Sequence, residues 1–218
     1  MFPIKDMNPT HHVAFATIAL IVANVAIFLF VQDRGADRVI VETPSGSEVT
    51  IAEGDRFSIR YAAIPCEITQ GRALDFEEVQ ELLRGDTDVC DDDDDNDLFP
   101  DKSIVLSVLT SLFLHADLFH LAFNMWFLWL FGNNIEDHVG PVKYVAFYLG
   151  AGVAATLAHV VLQPDSSIPL IGASGAIAGV MGAYMIWCAR APIRTLVFLF
   201  LKDMRATMIA AIALPLSI

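Results

Sequence analysis

Ser174 lies in the tetrapeptide Gly172-Ala173-Ser174-Gly175, within an otherwise apolar stretch. A serine hydroxyl is a weak nucleophile, and it needs a base beside it and donors where an oxyanion would form. Flanking glycines let the backbone turn tightly and a substrate carbonyl come close. Amides at the start of a helix point at incoming negative charge. Earlier in the chain, His120 and Asn124 are four residues apart, so on a helix both side chains leave the same face. An imidazole and a carboxamide there could complete an oxyanion site, and the chemistry implied is acyl transfer. Gly-x-Ser-Gly alone serves helix packing equally well, so the chemical reading depends on the combination.

The elements that carry these groups read as membrane spans. Hydrophobic residues make up 55% of the 218, and they gather in uncharged blocks: Val13–Val31, Leu118–Ile135, Tyr144–Gln163 and Ile168–Ala189. Each block can cross about 30 Å of hydrocarbon at about 1.5 Å per residue. Span two is expected to enter near Leu118 and span four near Ile168, which puts Asn124 and Ser174 each about 9 Å deep. Ser103–Ala116 is apolar but too short to span, and reads as an interfacial or re-entrant segment. Gly175, Gly179 and Gly182 form a small-residue stripe suited to another helix, one that follows span four or else span two or three.

Residues 33–102 hold 20 Asp and Glu against 7 Lys and Arg, which accounts for the whole net charge of −13. Outside that loop Lys5, Lys143, Arg190, Arg194, Lys202 and Arg205 precede span one, join spans two and three, or follow span four, whereas Pro164–Ser167 has no cation. The positive-inside rule then places the amino terminus in the cytoplasm and the acidic loop outside. Within the loop, Arg38–Ile51 reads as a β-hairpin about Pro44-Ser45-Gly46-Ser47 and Asp75–Leu83 as a short helix. Asp86–Asp97 reads as a solvated linker, because it lacks the glycine and closing glutamate of an EF-hand calcium loop. Cys66 and Cys90 both belong to this loop, where a disulfide is permitted.

Thr110-Ser111-Leu112-Phe113-Leu114-His115, the His115-x4-His120-x3-Asn124 spacing, the run Phe131–Asp137, and Gly172–Tyr184 with Ser174 at its head resemble the signatures of rhomboid intramembrane serine proteases. Arg60–Pro65 is also similar to that family's approach to its membrane core. The resemblance implies an all-α polytopic helical bundle. Residues 1–32 would form the cytoplasmic amino terminus and first transmembrane helix, 33–102 an acidic extracytoplasmic loop, and 103–218 the core. It also implies that Ser174 is the nucleophile, that His120 and Asn124 line the oxyanion site, and that His115, Gly172 and Gly175 are auxiliary. Glu136 would have a structural hydrogen-bonding role. The implied partners are transmembrane protein substrates and the lipid bilayer, with no nucleic acid, metal or cofactor, at a plasma or inner membrane.

In that family the base is a histidine of the last core span, and no histidine follows Ser174 in this sequence. Ala206–Ile218 reads as part of a fifth transmembrane helix that reaches about 20 Å, so the chain is expected to be truncated there and inactive by itself. The dyad histidine would then lie beyond Ile218. His159, near the outer end of span three, is not excluded by depth, although a packing role is the simpler reading. The rival readings are a non-catalytic rhomboid-like binder of transmembrane helices, and a channel or transporter, for which intramembrane carboxylates and repeats are lacking.

Overall fold

The computed structural model describes residues 2–42, 46, 48–87, 89–90, 97–188, 193–199 and 210–216. After strand β1 (Phe2–Asp6), helix α1 (Phe15–Phe30) enters the main bundle. The acidic loop then folds into a cap of strands β2 (Arg38–Glu42) and β3 (Glu48–Ala52) and helices α2 (Glu53–Tyr61), α3 (Pro65–Gln70) and α4 (Phe76–Arg84). Helix α5 (Ile104–Thr110) and a 3-10 turn (Ser111–Phe113) lead to α6 (Leu118–Val139), α7 (Pro141–Leu162) and α8 (Ser174–Trp187). Strands β4 (Ile193–Leu199) and β5 (Ala210–Leu216) follow.

Among the described residues, α7 is the one single helix long and apolar enough to cross a membrane, and α5 with its 3-10 turn forms with α6 a second, broken candidate bent by 80°. That bend fits the re-entrant reading of Ser103–Ala116. The other two expected spans are shorter, with 16 residues in α1 and 14 in α8. Span four loses its first turns because Pro169 resists helix there and Gly172 takes φ of +123°, so the chain stays non-helical until Ala173. Large apolar side chains cover the outside of the bundle, including Phe15, Phe30, Val142, Val161 and Ile186, each at least 72% exposed. An exterior of that kind suits lipid better than water.

The expected incomplete fifth helix is corrected. Ala210–Leu216 is a strand paired antiparallel with β4, which pairs in turn with β1. A short apolar run has no periodicity that separates strand from helix, and here the β-branched and aromatic β4 supplies the partner. The molecule is therefore not all-α, although helices dominate. Most of the aspartate tract, at Asp88 and Asp91–Asn96, lies outside the described residues.

Within the bundle, the glycine stripe is not an open groove. A Cβ on Gly175 would sit 2.6 Å from the Ala155 Cβ, and one on Gly179 would sit 2.5 Å from the Ala151 Cβ. Helix α7 already fills that face, and Gly182 alone of the three faces open space. Glu136, 4% exposed, accepts from the Ala16 and Thr17 amides at 2.8 and 2.7 Å and from the Thr17 hydroxyl at 2.8 Å. It caps the amino terminus of α1 from across the bundle, where a carboxylate meets unpaired amides and the positive end of the helix dipole. This is the structural role the sequence suggested.

The cap has a core of its own, built from Val49, Ile51, Ile59, Ile64, Leu74, Val79, Leu98 and Phe99. The hairpin and the helix after Asp75 form as expected, with Asp75 and Glu78 closing a capping box. Cys66 and Cys90 are joined in a disulfide. Beneath them Glu67 and Lys102 form an ion pair with both side chains 1% exposed. Lys102 also donates to the Ile59 carbonyl at 2.6 Å, and Glu67 accepts from the Leu74 amide at 3.1 Å. Burial pushes the Glu67 carboxyl up and the Lys102 ammonium down from their ordinary values, against the pull of the pair itself.

Two stability predictions follow from these buried carboxylates. Glu136→Ala leaves three donors unpaired and should cost about 2–4 kcal/mol, read as a lowered unfolding midpoint in detergent. Lys102→Met strands a buried carboxylate and should cost about 3–5 kcal/mol. The double variant Glu67→Gln/Lys102→Met should recover most of that loss in the same measurement.

Candidate active site

Helix α8 begins at Ser174, and the first bond across its opening turn is Ile177 N–H to the Ala173 carbonyl. The amides of Ser174, Gly175 and Ala176 come before that bond and are helix-start donors without an i−4 partner inside the helix. Ser174 itself is exposed. Its position is set by α7, because Gly175, the next residue, rests on Ala155.

Gly172 brings the second segment in. A Cβ there would lie 2.9 Å from both Cε1 and Nε2 of His120 and 3.7 Å from Ser174 Oγ. Only glycine accepts both that crowding and its φ of +123°. His120 is in the first turn of α6, which Asp117 caps by accepting from the His120 amide at 2.9 Å. The Ala116 amide donates to His120 Nδ1 at 3.4 Å. In a neutral ring this leaves Nε2 as the protonated nitrogen, on the edge that faces Gly172.

Asn124, 7% exposed, stands one turn further along α6 and donates from Nδ2 to the His120 carbonyl at 2.8 Å. A carboxamide carries a second N–H, so that bond does not exhaust its donors. His115 is fully buried, edge-on to His120 with ring centroids 5.2 Å apart. Its peptide is held on both sides by Gln32, which donates to the His115 carbonyl at 2.7 Å and accepts from its amide at 3.0 Å.

On its other side Ser174 opens onto a cavity of about 150 Å³ whose walls include Ser111, Thr156, His159, Gly172 and Gly175. The sequence had ranked His159 as a packing histidine, yet it shares this cavity with the serine. Depth alone could not separate the two readings. Gln32 and Ser111 were also missed as parts of the site: Gln32 is an uncharged polar residue at the end of an apolar block, and Ser111 sits in the quoted motif without a role. The structure therefore brings Ser174, Gly172 and His120 together, sets Asn124 and His115 directly behind His120, and rests Gly175 against α7.

The Rhomboid domain family model matches residues 102–218. Over 102 residues the chain is 37% identical to the presenilin-associated rhomboid-like protein, mitochondrial, of Bos taurus, covering 46% of this chain and 26% of that protein. It is 40% identical over 78 residues to the rhomboid protease GluP of Bacillus subtilis, covering 36% of this chain and 15% of the relative. With the rhomboid protein 1, mitochondrial, of Saccharomyces cerevisiae it shares 30% identity over 97 residues, 43% of this chain and 28% of the relative. The chain thus matches less than a third of the length of each of these relatives. No solved structure matches it. The family model spans more than half of the chain and takes in every residue of the candidate site from His115 to Gly175, so the chain belongs to the rhomboid family.

Proposed function

We propose that this rhomboid polypeptide supplies the nucleophile of an intramembrane serine endopeptidase that cleaves transmembrane segments of other membrane proteins. The observation that carries the reading is that Gly172 is bordered on both sides: a Cβ there would lie 2.9 Å from His120 Nε2 and 3.7 Å from Ser174 Oγ, so the imidazole and the hydroxyl flank one glycine at the head of α8. Ser174 Oγ attacks the scissile carbonyl carbon. The oxyanion accepts hydrogen bonds from the Ser174 amide, His120 Nε2–H and Asn124 Nδ2–H. The Ser174 proton passes to a histidine base and then to the departing amine, and water hydrolyses the ester. In the family's dyad that base belongs to a later span; within this sequence, His159 on the cavity wall is the candidate. The chain is a multi-pass membrane protein with its amino terminus in the cytoplasm, the orientation its lysines and arginines favour.

A rhomboid-like protein that only binds transmembrane helices is the second reading, since two of the relatives are named rhomboid proteins without the word protease. Such a binder has no use for an exposed serine at a helix start, next to the glycine that His120 crowds, which favours catalysis. A fluorophosphonate probe on the full-length protein separates the two: it should label the wild type and not Ser174→Ala, and equal labelling of both would remove Ser174 as nucleophile. His120→Ala should lower kcat on a transmembrane substrate by about 10²–10³-fold, the usual loss for one oxyanion donor. Gly172→Ala should abolish labelling while lowering the unfolding free energy by about 1–3 kcal/mol for the strained backbone, because the new Cβ displaces the His120 ring.

A further inference from the structure

The cap and the segment that leads to Ser174 are joined by a short chain of hydrogen bonds, one of them through the Ser111 side chain. Ala63 lies between α2 and α3 in the cap and, with Ala62 and Ile64, has no exposed surface. Its amide donates to Ser111 Oγ at 2.7 Å, and its carbonyl accepts from the Leu170 amide at 2.7 Å. Ser111, 3% exposed, also donates to the Ser107 carbonyl at 2.5 Å, and its own carbonyl accepts from the Gly172 amide at 2.9 Å. The segment entering α8 is therefore gripped at 170 and at 172. In an extended chain alternate amides leave the same edge, so both grips act from one side.

More of the cap holds the same link. The Cys66 amide donates to the Ser166 carbonyl at 3.1 Å, the Ser167 amide to the Thr87 carbonyl at 2.8 Å, and the Thr69 hydroxyl to the Pro164 carbonyl at 3.1 Å. These bonds fix the link as a whole. The one next to the nucleophile passes through Ser111.

We propose that the cap sets up the reaction centre, with Ser111 as the positioning residue: pinned by the Ala63 amide, its carbonyl fixes the Gly172 peptide and so the place where α8 begins. The inference rests on Ser174 being the nucleophile. Ser111 touches no reacting atom. It acts by holding Gly172 against His120, where a displacement of the peptide would separate the Ser174 hydroxyl from its oxyanion donors. Small misplacements of that kind lower the rate of reaction more than they lower binding.

The test uses Ser111→Ala and Ala63→Pro in the full-length protein. Ala62 has φ −86° and ψ 153°, a conformation suited to the residue before a proline, and Ala63→Pro removes the amide hydrogen that Ser111 accepts. Each variant should lower kcat and the rate of fluorophosphonate labelling by about tenfold, the equivalent of one modest hydrogen bond. KM should hold, amide exchange at Gly172 should accelerate, and the double variant should be no worse than either single. Wild-type labelling and turnover in Ser111→Ala would overturn the proposal, as would losses that multiply in the double variant. If the probe never labels wild type, the nucleophile reading falls instead. Exchange then decides alone: acceleration at Gly172 in Ser111→Ala upholds the clamp, and unchanged exchange overturns it.

Discussion

Where α7 and α8 meet there is no room for a side chain. Gly175 and Gly179 press against Ala155 and Ala151 one turn apart on each helix. Small residues at both positions let the two backbones approach until dispersion between them is at its strongest, which is the main attraction left when the surroundings are as apolar as the side chains. The contact also fixes rotation, because a helix seated on two glycines one turn apart cannot roll without driving a larger residue into its neighbour. Ser174 precedes the first of those glycines, so its direction is set by packing. Gly152, on the same helix as the two alanines, does the same for the 3-10 turn: a Cβ there would lie 2.6 Å from Leu112. Helix α7 is thus the template against which both halves of the site are laid.

The buried charges work at the ends of elements. Glu136 meets three donors at the start of α1, and those donors satisfy a carboxylate that would otherwise be costly to bury. Asp137 beside it accepts from the His11 and His12 amides at 3.0 and 2.8 Å, so the chain entering α1 is tied to the far end of α6. In the cap, Glu67 and Lys102 carry the same logic into a smaller core, where the lysine ties the end of the cap to α3 just before α5 begins. A pair of hydrophobic residues could fill that space at no less stability. What the ions add is a requirement that α3, the Ile59 carbonyl and residue 102 meet in one arrangement.

How far the sequence could be read depended on the range of the forces involved. The apolar blocks, the paired strands β2 and β3 and the short helix after Asp75 are local patterns, and each appears in the structure close to where the pattern lies. His120 and Asn124 on one helix face followed from spacing alone. The failures are tertiary. A glycine stripe indicates that something packs there, but not that α7 is the neighbour. Ala210–Leu216 has no period of its own, and its state was decided by β4. Ser111, Gln32 and Ala63 act mainly through backbone groups or a single bond across the fold, and no composition marks them. The depth assigned to Ser174 assumed helix from Ile168 onward. Pro169 and Gly172 were visible in the sequence as residues unfavourable to helix, whereas the positive φ that keeps Gly172 out of the helix is set by the fold.

That local failure of helix is what gives the serine its chemical character. In mid-helix the Ser174 amide would be bonded to a carbonyl four residues earlier, and its hydroxyl would tend to bond back to the same turn. At the first helical position neither bond is available, and the amide stands at the positive end of the helix dipole. The bonds at Leu170 and Gly172 hold the preceding segment out of the helix, so the amide stays at the helix start. The extended entry, the glycine that His120 crowds and the bare helix start are therefore one device. In the proposed reaction, a peptide oxyanion formed there would meet donors already oriented, with none of the reorganisation that water would require.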